Sequence, residues 1–407
     1  MRPRTSCFVV LACALAASFA LPSRADAPPS YVLTFGSLGT GPGQFNLPTD
    51  IAVAANGDVY VVDGDNHRIQ KFDASGNFLF MWGSLGSDPG KFNYPTGICI
   101  DSVGNVLVGD TDNNRIQKFT AGGTFLSTFG TLGSGNGQLR APTGVAIDRS
   151  GNIFVADYHN NRVDKFSSAG AYITKWGTTG TGNGQFHEPY GVTVDPDGFV
   201  YVADKNNNRV QKFTNSGVFV TKWGDWGQDP GLFDEPQVCQ LDGLGHVYVS
   251  DKFNNRIQKF TLQGAFLSEF GTLGDGDGQF DSPEGMRVDG TGSVVWVADW
   301  MNHRIEKFAY GSSSVPDLPH APAIAIQSVR PNPVRGATTI RVTAASGPAR
   351  LSIVDVAGRS RLDRVLTLTD GVAQAVTFDL STLEPGLYFA SLDQRGIRTG
   401  TRIAVVR

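Results

Sequence analysis

Cysteine and histidine are scarce in this sequence of 407 residues, which contains four Cys and six His. Cys7 and Cys13 lie in the first 27 residues, so Cys99 and Cys239 are the only two cysteines beyond them. These two lie in opposite units of the repeat described below, and a disulfide requires Cα atoms within about 7 Å. We therefore predict two buried thiols and no disulfide.

Sequence signatures of catalysis are also missing. No two His residues are four positions apart, there is no G-x-S-x-G sequence, and the Gly-rich stretches lack the Lys of a phosphate-binding loop. Clusters of Cys and His at zinc-binding spacing are absent as well. These absences favour a binding or structural function over an enzymatic one.

Only the N-terminus contains a long apolar run. Arg2 and Arg4 precede the apolar segment 7–21, and Ala25-Asp26-Ala27 follows as a cleavage site. This pattern predicts a signal peptide at residues 1–27 and export through the periplasm. Beyond it, no stretch reaches the roughly 18 apolar residues of a membrane span, so no transmembrane segment is predicted.

A short polar signature occurs six times, as in Asp110–Phe119, Asp204–Phe213 and Asp251–Phe260. Each copy has an Asp, then Asn-Asn-Arg or Asn-His-Arg, and the period is 47 or 48 residues. A repeat of this length predicts a solenoid, an array or a propeller. Residues 31–310 contain 20 Lys and Arg against 30 Asp and Glu, so a nucleic-acid partner is not expected.

Each repeat contains four strand-like runs, here termed a, b, c and d in chain order, with turn residues between them. Runs such as Phe199-Val200-Tyr201-Val202-Ala203 are apolar at every position, so both faces of these sheets must be covered. Sheets packed face to face around an axis provide this cover. The sequence therefore predicts an all-β fold with a six-bladed β-propeller at residues 28–310.

The two ends of the repeat region complement each other. Residues 31–36 look like a strand d without a preceding a, b or c, whereas the last repeat lacks a strand d. We predict that residues 31–36 close the ring by pairing with residues 304–310, which removes two exposed edges. Residues 311–323 are predicted to be a linker, and residues 324–407 a small Ig-like β-sandwich.

The recurring sequences F-G-[ST]-x-G-x-x-x-G-Q-F, P-x-G-[IV]-x-[IV]-D and N-N-R-[IV]-Q-K-F resemble the NHL repeat, with six copies over residues 31–310. This resemblance implies a six-bladed propeller that serves as a binding scaffold. The tail, with Arg330-Pro331-Asn332-Pro333 and Leu383-Glu384-Pro385-Gly386-Leu387-Tyr388, resembles C-terminal sorting domains of type IX secretion and related flagellar-hook-capping Ig-like domains. This second resemblance implies contact with the secretion machinery and a secreted or cell-surface location.

The Asp and Arg of the signature occur once in every blade, which favours an architectural role over an active site. We expect each Asp to cap the b–c turn and each Arg to bind a neighbouring strand. The twelve residues are Asp63, Arg68, Asp110, Arg115, Asp157, Arg162, Asp204, Arg209, Asp251, Arg256, Asp299 and Arg304.

Functional residues are expected where the copies differ. Strand a begins, and strand b ends, at the same end of each blade, so the d–a and b–c loops should form one face around the channel. Blades 3 to 6 place aromatic residues there, and the candidate ligand-binding residues are Tyr158, His159, Tyr190, Phe253 and Trp300. Glu188, Glu235 and Glu284 are candidate metal ligands for Ca²⁺, unless Arg287 neutralises them.

The sequence predicts an exported, non-enzymatic propeller that binds a protein, a peptide or a glycan at the cell surface, with Ca²⁺ as the one candidate cofactor. Two alternatives are a metal-dependent propeller lyase or lactonase with an axial site, and a structural component of a surface layer. A metal ion on the channel axis would favour the enzyme.

Overall fold

The structure, a computed structural model, describes residues 28–310, 325–330, 336–343, 347–355, 359–368, 374–394 and 397–406. The predicted signal peptide 1–27 and the predicted linker 311–323 lie outside the described residues. The chain divides into two compact units, residues 1–311 and 312–407. Within the described ranges, no helix is long and apolar enough to cross a membrane.

The first unit contains six antiparallel sheets of four strands each. Blades 1 and 2 consist of Pro48–Val53, Val59–Asp63, Arg68–Phe72 and Phe78–Trp82, and of Pro95–Ile100, Val106–Asp110, Arg115–Phe119 and Phe125–Phe129. Blades 3 and 4 consist of Pro142–Ile147, Ile153–Asp157, Arg162–Phe166 and Tyr172–Trp176, and of Pro189–Val194, Val200–Asp204, Arg209–Phe213 and Phe219–Trp223. Blade 5 consists of Pro236–Leu241, His246–Asp251, Arg256–Thr261 and Phe266–Phe270.

Blade 6 takes strands from both ends of the first unit. Its strands a to c are Pro283–Val288, Val294–Asp299 and Arg304–Ala309, and its outermost strand is Ser30–Phe35. The two terminal strands pair antiparallel, with Tyr31 opposite Phe308 and Phe35 opposite Ile305. The sheet that would otherwise expose an edge is thereby completed by the start of the propeller.

The hydrophobic core lies between neighbouring blades. In the interface of blades 1 and 2, Tyr60 and Val62 pack in one cluster with Val106 and Val108, and all four side chains are buried. Strand b is buried along its whole length because each of its two faces meets a different blade, as in Val59–Asp63. The all-β propeller fold predicted from these continuous apolar runs is confirmed.

The signature Asp and Arg form one buried ion pair in every blade, here called the clamp. In blade 4, Oδ1 of Asp204 accepts a hydrogen bond from the backbone N–H of His187 (2.8 Å). Its other oxygen, Oδ2, accepts one from Nε of Arg209 (2.7 Å). The other Arg209 nitrogens donate to carbonyls of the d–a loop, those of Thr181, Gly182 and Gln185. The Arg therefore binds the loop of its own blade instead of a neighbouring strand. The ion-pair distance is 2.7 or 2.8 Å in all six blades.

The residue before each signature Arg joins neighbouring blades. It has a positive φ, for example 53° at Asn208, and its side chain accepts the N–H of the residue that precedes the next blade's Pro. The side chain of Asn208 accepts the backbone N–H of Glu235. In the same way His303 of blade 6 accepts the backbone N–H of Leu47 in blade 1 (3.1 Å), so this bond also joins the last blade to the first. Short polar side chains tolerate this left-handed backbone best, which explains the Asn and His at this position.

The two cysteines beyond the predicted signal peptide, Cys99 and Cys239, are free and buried, as predicted. Burial raises the pKa of both thiols, to about 12 for Cys239. The propeller is thus held together by packing and hydrogen bonds, with no disulfide among its described residues.

The second unit contains two antiparallel sheets. One has the strands Ala325–Arg330, Ala337–Thr343 and Gln374–Asp379, and the other has Ser360–Leu368, Gly347–Asp355, Gly386–Gln394 and Ile397–Val405. Side chains of both sheets share one core, in which Ile340 and Phe378 pack with Leu351 and Ile403. Two sheets around a common core form the β-sandwich that the sequence predicted.

Two blades contain an additional buried carboxyl beside the clamp. In blade 4, Gln211 donates Nε2 to Asp204 (3.0 Å) and accepts the N–H of Gly184 (3.0 Å). Blades 1, 2 and 5 also have Gln at this position, whereas blade 3 has Asp164 and blade 6 has Glu306. Burial raises the pKa of Asp164 and of Glu306 to about 7, and one oxygen of each is buried without a hydrogen-bond partner.

Because of these two carboxyls, we expect the free energy of unfolding to fall as the pH rises. Each has a pKa near 7 in the folded protein and near 4 when unfolded, so its stabilising contribution is complete below pH 4 and lost as the pH rises through 7. Replacing them by the residue of the other blades, in Asp164→Gln/Glu306→Gln, should therefore reduce the loss of melting temperature between pH 5 and pH 8. Thermal unfolding followed by circular dichroism measures this.

The reverse substitution is the matched control. Gln211→Glu adds a carboxyl at the same position of blade 4, so this variant should lose more stability than the parent as the pH rises. If both variants show the parent's pH profile, these carboxyls do not titrate between pH 5 and pH 8 and this account of them is wrong.

Candidate functional site

The d–a and b–c loops meet on one face of the propeller. The first residue of strand a lies opposite the last residue of strand b, as in Pro189 with Asp204 and Pro236 with Asp251. At the centre of this face a cavity of ≈ 240 Å³ opens into the channel between the blades, and we call it the mouth. Blades 2 to 6 all contribute residues to its lining.

Five of the residues predicted from the sequence line the mouth, namely Tyr158, His159, Tyr190, Glu284 and Trp300. The 3₁₀ turn Tyr158–Asn160 follows strand b directly and places Tyr158 and His159 there. The other three predicted residues do not line it. Phe253 is 51% exposed on the same face, and Glu188 and Glu235 lie in the d–a loops directly before strand a.

Glu284 is the most buried charge of the mouth, with an exposed fraction of 2%. Nζ of Lys252 lies 3.0 Å from its Oε2, and the hydroxyl of Tyr190 donates to its Oε1. The same Lys252 ammonium lies 4.0 Å from the ring centroid of Trp300, a cation–π contact. Burial and the Glu284 charge raise the pKa of Tyr190 well above its usual value. These four side chains form one connected group.

A second group surrounds Tyr158. Its hydroxyl donates to Oε2 of Glu188 (2.6 Å), and Asn206 donates to the same oxygen (2.7 Å). Burial opposes the charge of Glu188, but these two hydrogen bonds hold its pKa below the usual value. Lys205 pairs with Glu235 (3.3 Å) and reaches the Tyr158 hydroxyl (3.3 Å). Every carboxylate of this group therefore has a protein partner.

The three Glu residues proposed as Ca²⁺ ligands do not converge on a common point. Glu284 is bound by Lys252 and Tyr190, while Glu188 and Glu235 interact with the second group. Among the described residues, no three or more His, Cys, Asp or Glu side chains are grouped so that they could hold a metal ion.

The sequence analysis missed the two lysines. Lys205 and Lys252 occupy the first position after the signature Asp, where the six blades have five different residue types, and this variation is the signal that could have identified them. The sequence left open that Arg287 neutralises the glutamates, but Lys252 pairs with Glu284 and Lys205 pairs with Glu235, while Arg287 donates to Gln240. The b–c loop of one blade reaches the strand a of the next, so Lys252 of blade 5 meets Glu284 of blade 6.

Comparison with protein families identifies both parts of the chain. The NHL repeat matches residues 45–72, 92–119, 139–166 and 186–213. The secretion system C-terminal sorting domain matches residues 328–406. Both predicted resemblances are thus confirmed, and the structure adds two further blades to the four matched repeats. No curated protein matches the chain.

Solved structures similar to this chain are propellers. A streptogramin B lyase is 17% identical, with a TM-score of 0.50 over 68% of this chain and 87% of that protein. A gluconolactonase from Xanthomonas campestris is 12% identical, with a TM-score of 0.52 over 70% of this chain and 97% of that one. A protein of unknown function from Bacteroides thetaiotaomicron is 20% identical, with a TM-score of 0.52 over 68% of this chain and 76% of that one. At these identities the similarity establishes the fold alone.

The Lys252–Glu284 pair gives a prediction for stability. Lys252→Met leaves the Glu284 carboxylate buried without its cation, which should lower the free energy of unfolding by about 3–5 kcal/mol. The double variant Lys252→Met/Glu284→Gln should recover part of this loss, because no charge is then left unpaired. Urea unfolding measures both effects.

Lys222→Met is the control, because Lys222 is exposed on the outermost strand of blade 4. Its loss should change the free energy of unfolding by no more than about 0.5 kcal/mol. If Lys252→Met is no more destabilising than Lys222→Met, the buried pair does not stabilise the mouth.

Proposed function

We propose that this chain, which carries NHL repeats and a C-terminal secretion sorting domain, is a non-enzymatic binding protein of the cell surface. Its partner is a protein or a glycan held at the mouth and the face around it. The sorting domain accounts for secretion and for contact with the type IX secretion machinery, while the propeller supplies the binding face.

The unequal distribution of side chains around the face is the observation that supports this proposal. Blades 3 to 6 place an aromatic residue or a lysine directly after the signature Asp, whereas blades 1 and 2 place Gly64-Asp65 and Thr111-Asp112 there. Thr111 is buried and bonded to Thr96 and to the carbonyl of Pro142. A purely structural repeat has no need of this asymmetry, because the ion pair of the clamp is present in all six blades.

Exposed apolar residues beside the mouth favour a protein partner. Phe253 of blade 5 is 51% exposed, and Met301 of blade 6 is 45% exposed. They stand next to Lys252 and Trp300, which line the mouth. Aromatic anchors near a central cavity are typical of residues that dominate protein–protein affinity. A glycan would instead stack on the aromatic rings, although Lys252 already covers the Trp300 ring from one side.

Substitution on this face should weaken partner binding. We expect Phe253→Ser and Trp300→Ala each to raise the Kd at least about tenfold, the effect of losing an aromatic anchor. The measurement is titration of the purified propeller with the tightest binder found among surface proteins and surface glycans of its native host.

Val103→Ser and Asn152→Ala are the matched controls on the opposite face. Val103 is 80% exposed in an a–b turn, and Asn152 bonds Asp148 within another. Both should leave the Kd unchanged. A partner that loses affinity only in these two variants binds the wrong face and contradicts the proposal.

Removal of the tail should abolish transport to the cell surface without preventing the propeller from folding and binding its partner. A chain that ends at residue 310 retains the whole first unit and should still fold, because its core is separate from that of the second unit. Without the sorting domain it should remain in the periplasm of its native host. Cell fractionation with protease treatment of intact cells measures this, and unchanged surface exposure would contradict the role assigned to the tail.

A further inference from the structure

The inner strands place one residue per blade at the same depth in the channel, four positions after the Pro of strand a. Blades 1 to 3 have small side chains there, Ala52, Cys99 and Ala146. Blades 4 to 6 have hydrogen-bond donors, Thr193, Gln240 and Arg287. One half of the channel wall is therefore small and weakly polar, and the other half is rich in donors.

These residues surround a cavity of ≈ 240 Å³ that is distinct from the mouth. Five of the six line it, the exception being Ala52. The a–b turn residues Pro196, Asp242 and Gly290 line it as well, which places its opening at the end of the channel opposite to the mouth. Its volume is below the roughly 300 Å³ at which pockets for drug-sized ligands begin. It therefore suits a small molecule.

Most of the donor groups in this cavity have no protein acceptor. Arg287 donates Nη1 to Oε1 of Gln240 (3.2 Å), and it forms no ion pair with a carboxylate among the described residues. The Nε2 group of Gln240 and the hydroxyl of Thr193 also have no protein partner within the described part of the chain. A guanidinium has five N–H donors, so most of those of Arg287 remain available.

Arg287 differs in this respect from the signature arginines of the same unit. Each of those six is paired with the Asp of its clamp. The buried Asp50 acts on Arg287 electrostatically, but its carboxylate accepts the N–H groups of Ile51 (2.8 Å) and Ile98 (3.0 Å). Arg287 is half-buried, and an unpaired cation in such a position is costly, so an anion that pairs with Arg287 would be stabilised.

We propose that this cavity binds a small monocarboxylic acid. The carboxylate accepts hydrogen bonds from Arg287, Gln240 and Thr193, and the organic body of the acid lies against Ala146 and Cys99. Arg287 can hold a carboxylate through two parallel hydrogen bonds, which makes it more suitable than a point charge. The site is independent of partner binding at the mouth, because its ligand enters from the opposite end of the channel.

Calorimetric titration of the full chain with butanoate and benzoate tests the proposal, with butanamide and benzamide as uncharged analogues. We expect at least one of the acids to bind, with a Kd at least about tenfold lower than that of its amide. Arg287→Met should raise the Kd of that acid at least about tenfold, the effect of losing hydrogen bonds to a charged group. Arg287→Lys retains the charge without the paired geometry and should bind with intermediate affinity.

The control is Arg149→Met, which removes an exposed cation from an a–b turn at the same end of the channel. It should bind the acid as the parent does, and so should Trp300→Ala at the mouth. The proposal is overturned if neither acid binds the parent, if acid and amide bind equally, or if Arg287→Met, shown to be folded by circular dichroism, retains the parent's affinity. Equal losses in Arg149→Met and Arg287→Met would indicate general attraction of anions and would also overturn it.

Discussion

The buried ion pair between the signature Asp and Arg is the interaction on which the rest of the propeller depends. Its carboxylate accepts the backbone N–H of the residue two positions before the Pro that opens strand a of the same blade, and its guanidinium binds carbonyls of the d–a loop before that Pro. A long loop rich in Gly would otherwise leave these backbone groups without partners. The ion pair and the N–H bond to its Asp recur in all six blades, while Arg162 also binds Asp164 and Arg256 also binds Glu269.

Uniform clamps leave the neighbouring positions free to differ, and these positions form the mouth. Lys205 and Lys252 follow the clamp Asp directly, and Tyr190 and Glu284 follow the Pro that opens strand a. The charges of the mouth are largely balanced inside the protein, since Glu284 pairs with Lys252 and Glu235 with Lys205. Such pairing preorganises the aromatic rings beside them, and a fixed ring loses less entropy when a partner binds.

Most of the fold could be predicted from the sequence because its determinants are periodic. The 47-residue spacing, the apolar strands and the incomplete repeats at both ends indicate six blades around an axis. The candidate site could be predicted only in part. The loop that carries Trp300 follows from strand direction, but the contact of Lys252 with Trp300 and Glu284 joins two blades and depends on side-chain orientation. Likewise, Asp164 and Glu306 stand where the other blades have Gln, which looks like a conservative replacement in the sequence. Only the structure shows that each of them is buried beside a second carboxylate.

The central claim is that each clamp holds the part of the mouth that belongs to its own blade. Native-state hydrogen exchange of Arg209→Met, compared with the parent, tests it most directly. Apart from its partner Asp204, Arg209 binds the d–a loop before blade 4, so amides of residues 177–188 should exchange faster, while the d–a loops of blades 1 and 2 should keep their protection. Faster exchange spread evenly over all six loops, or no change in residues 177–188, would contradict the account.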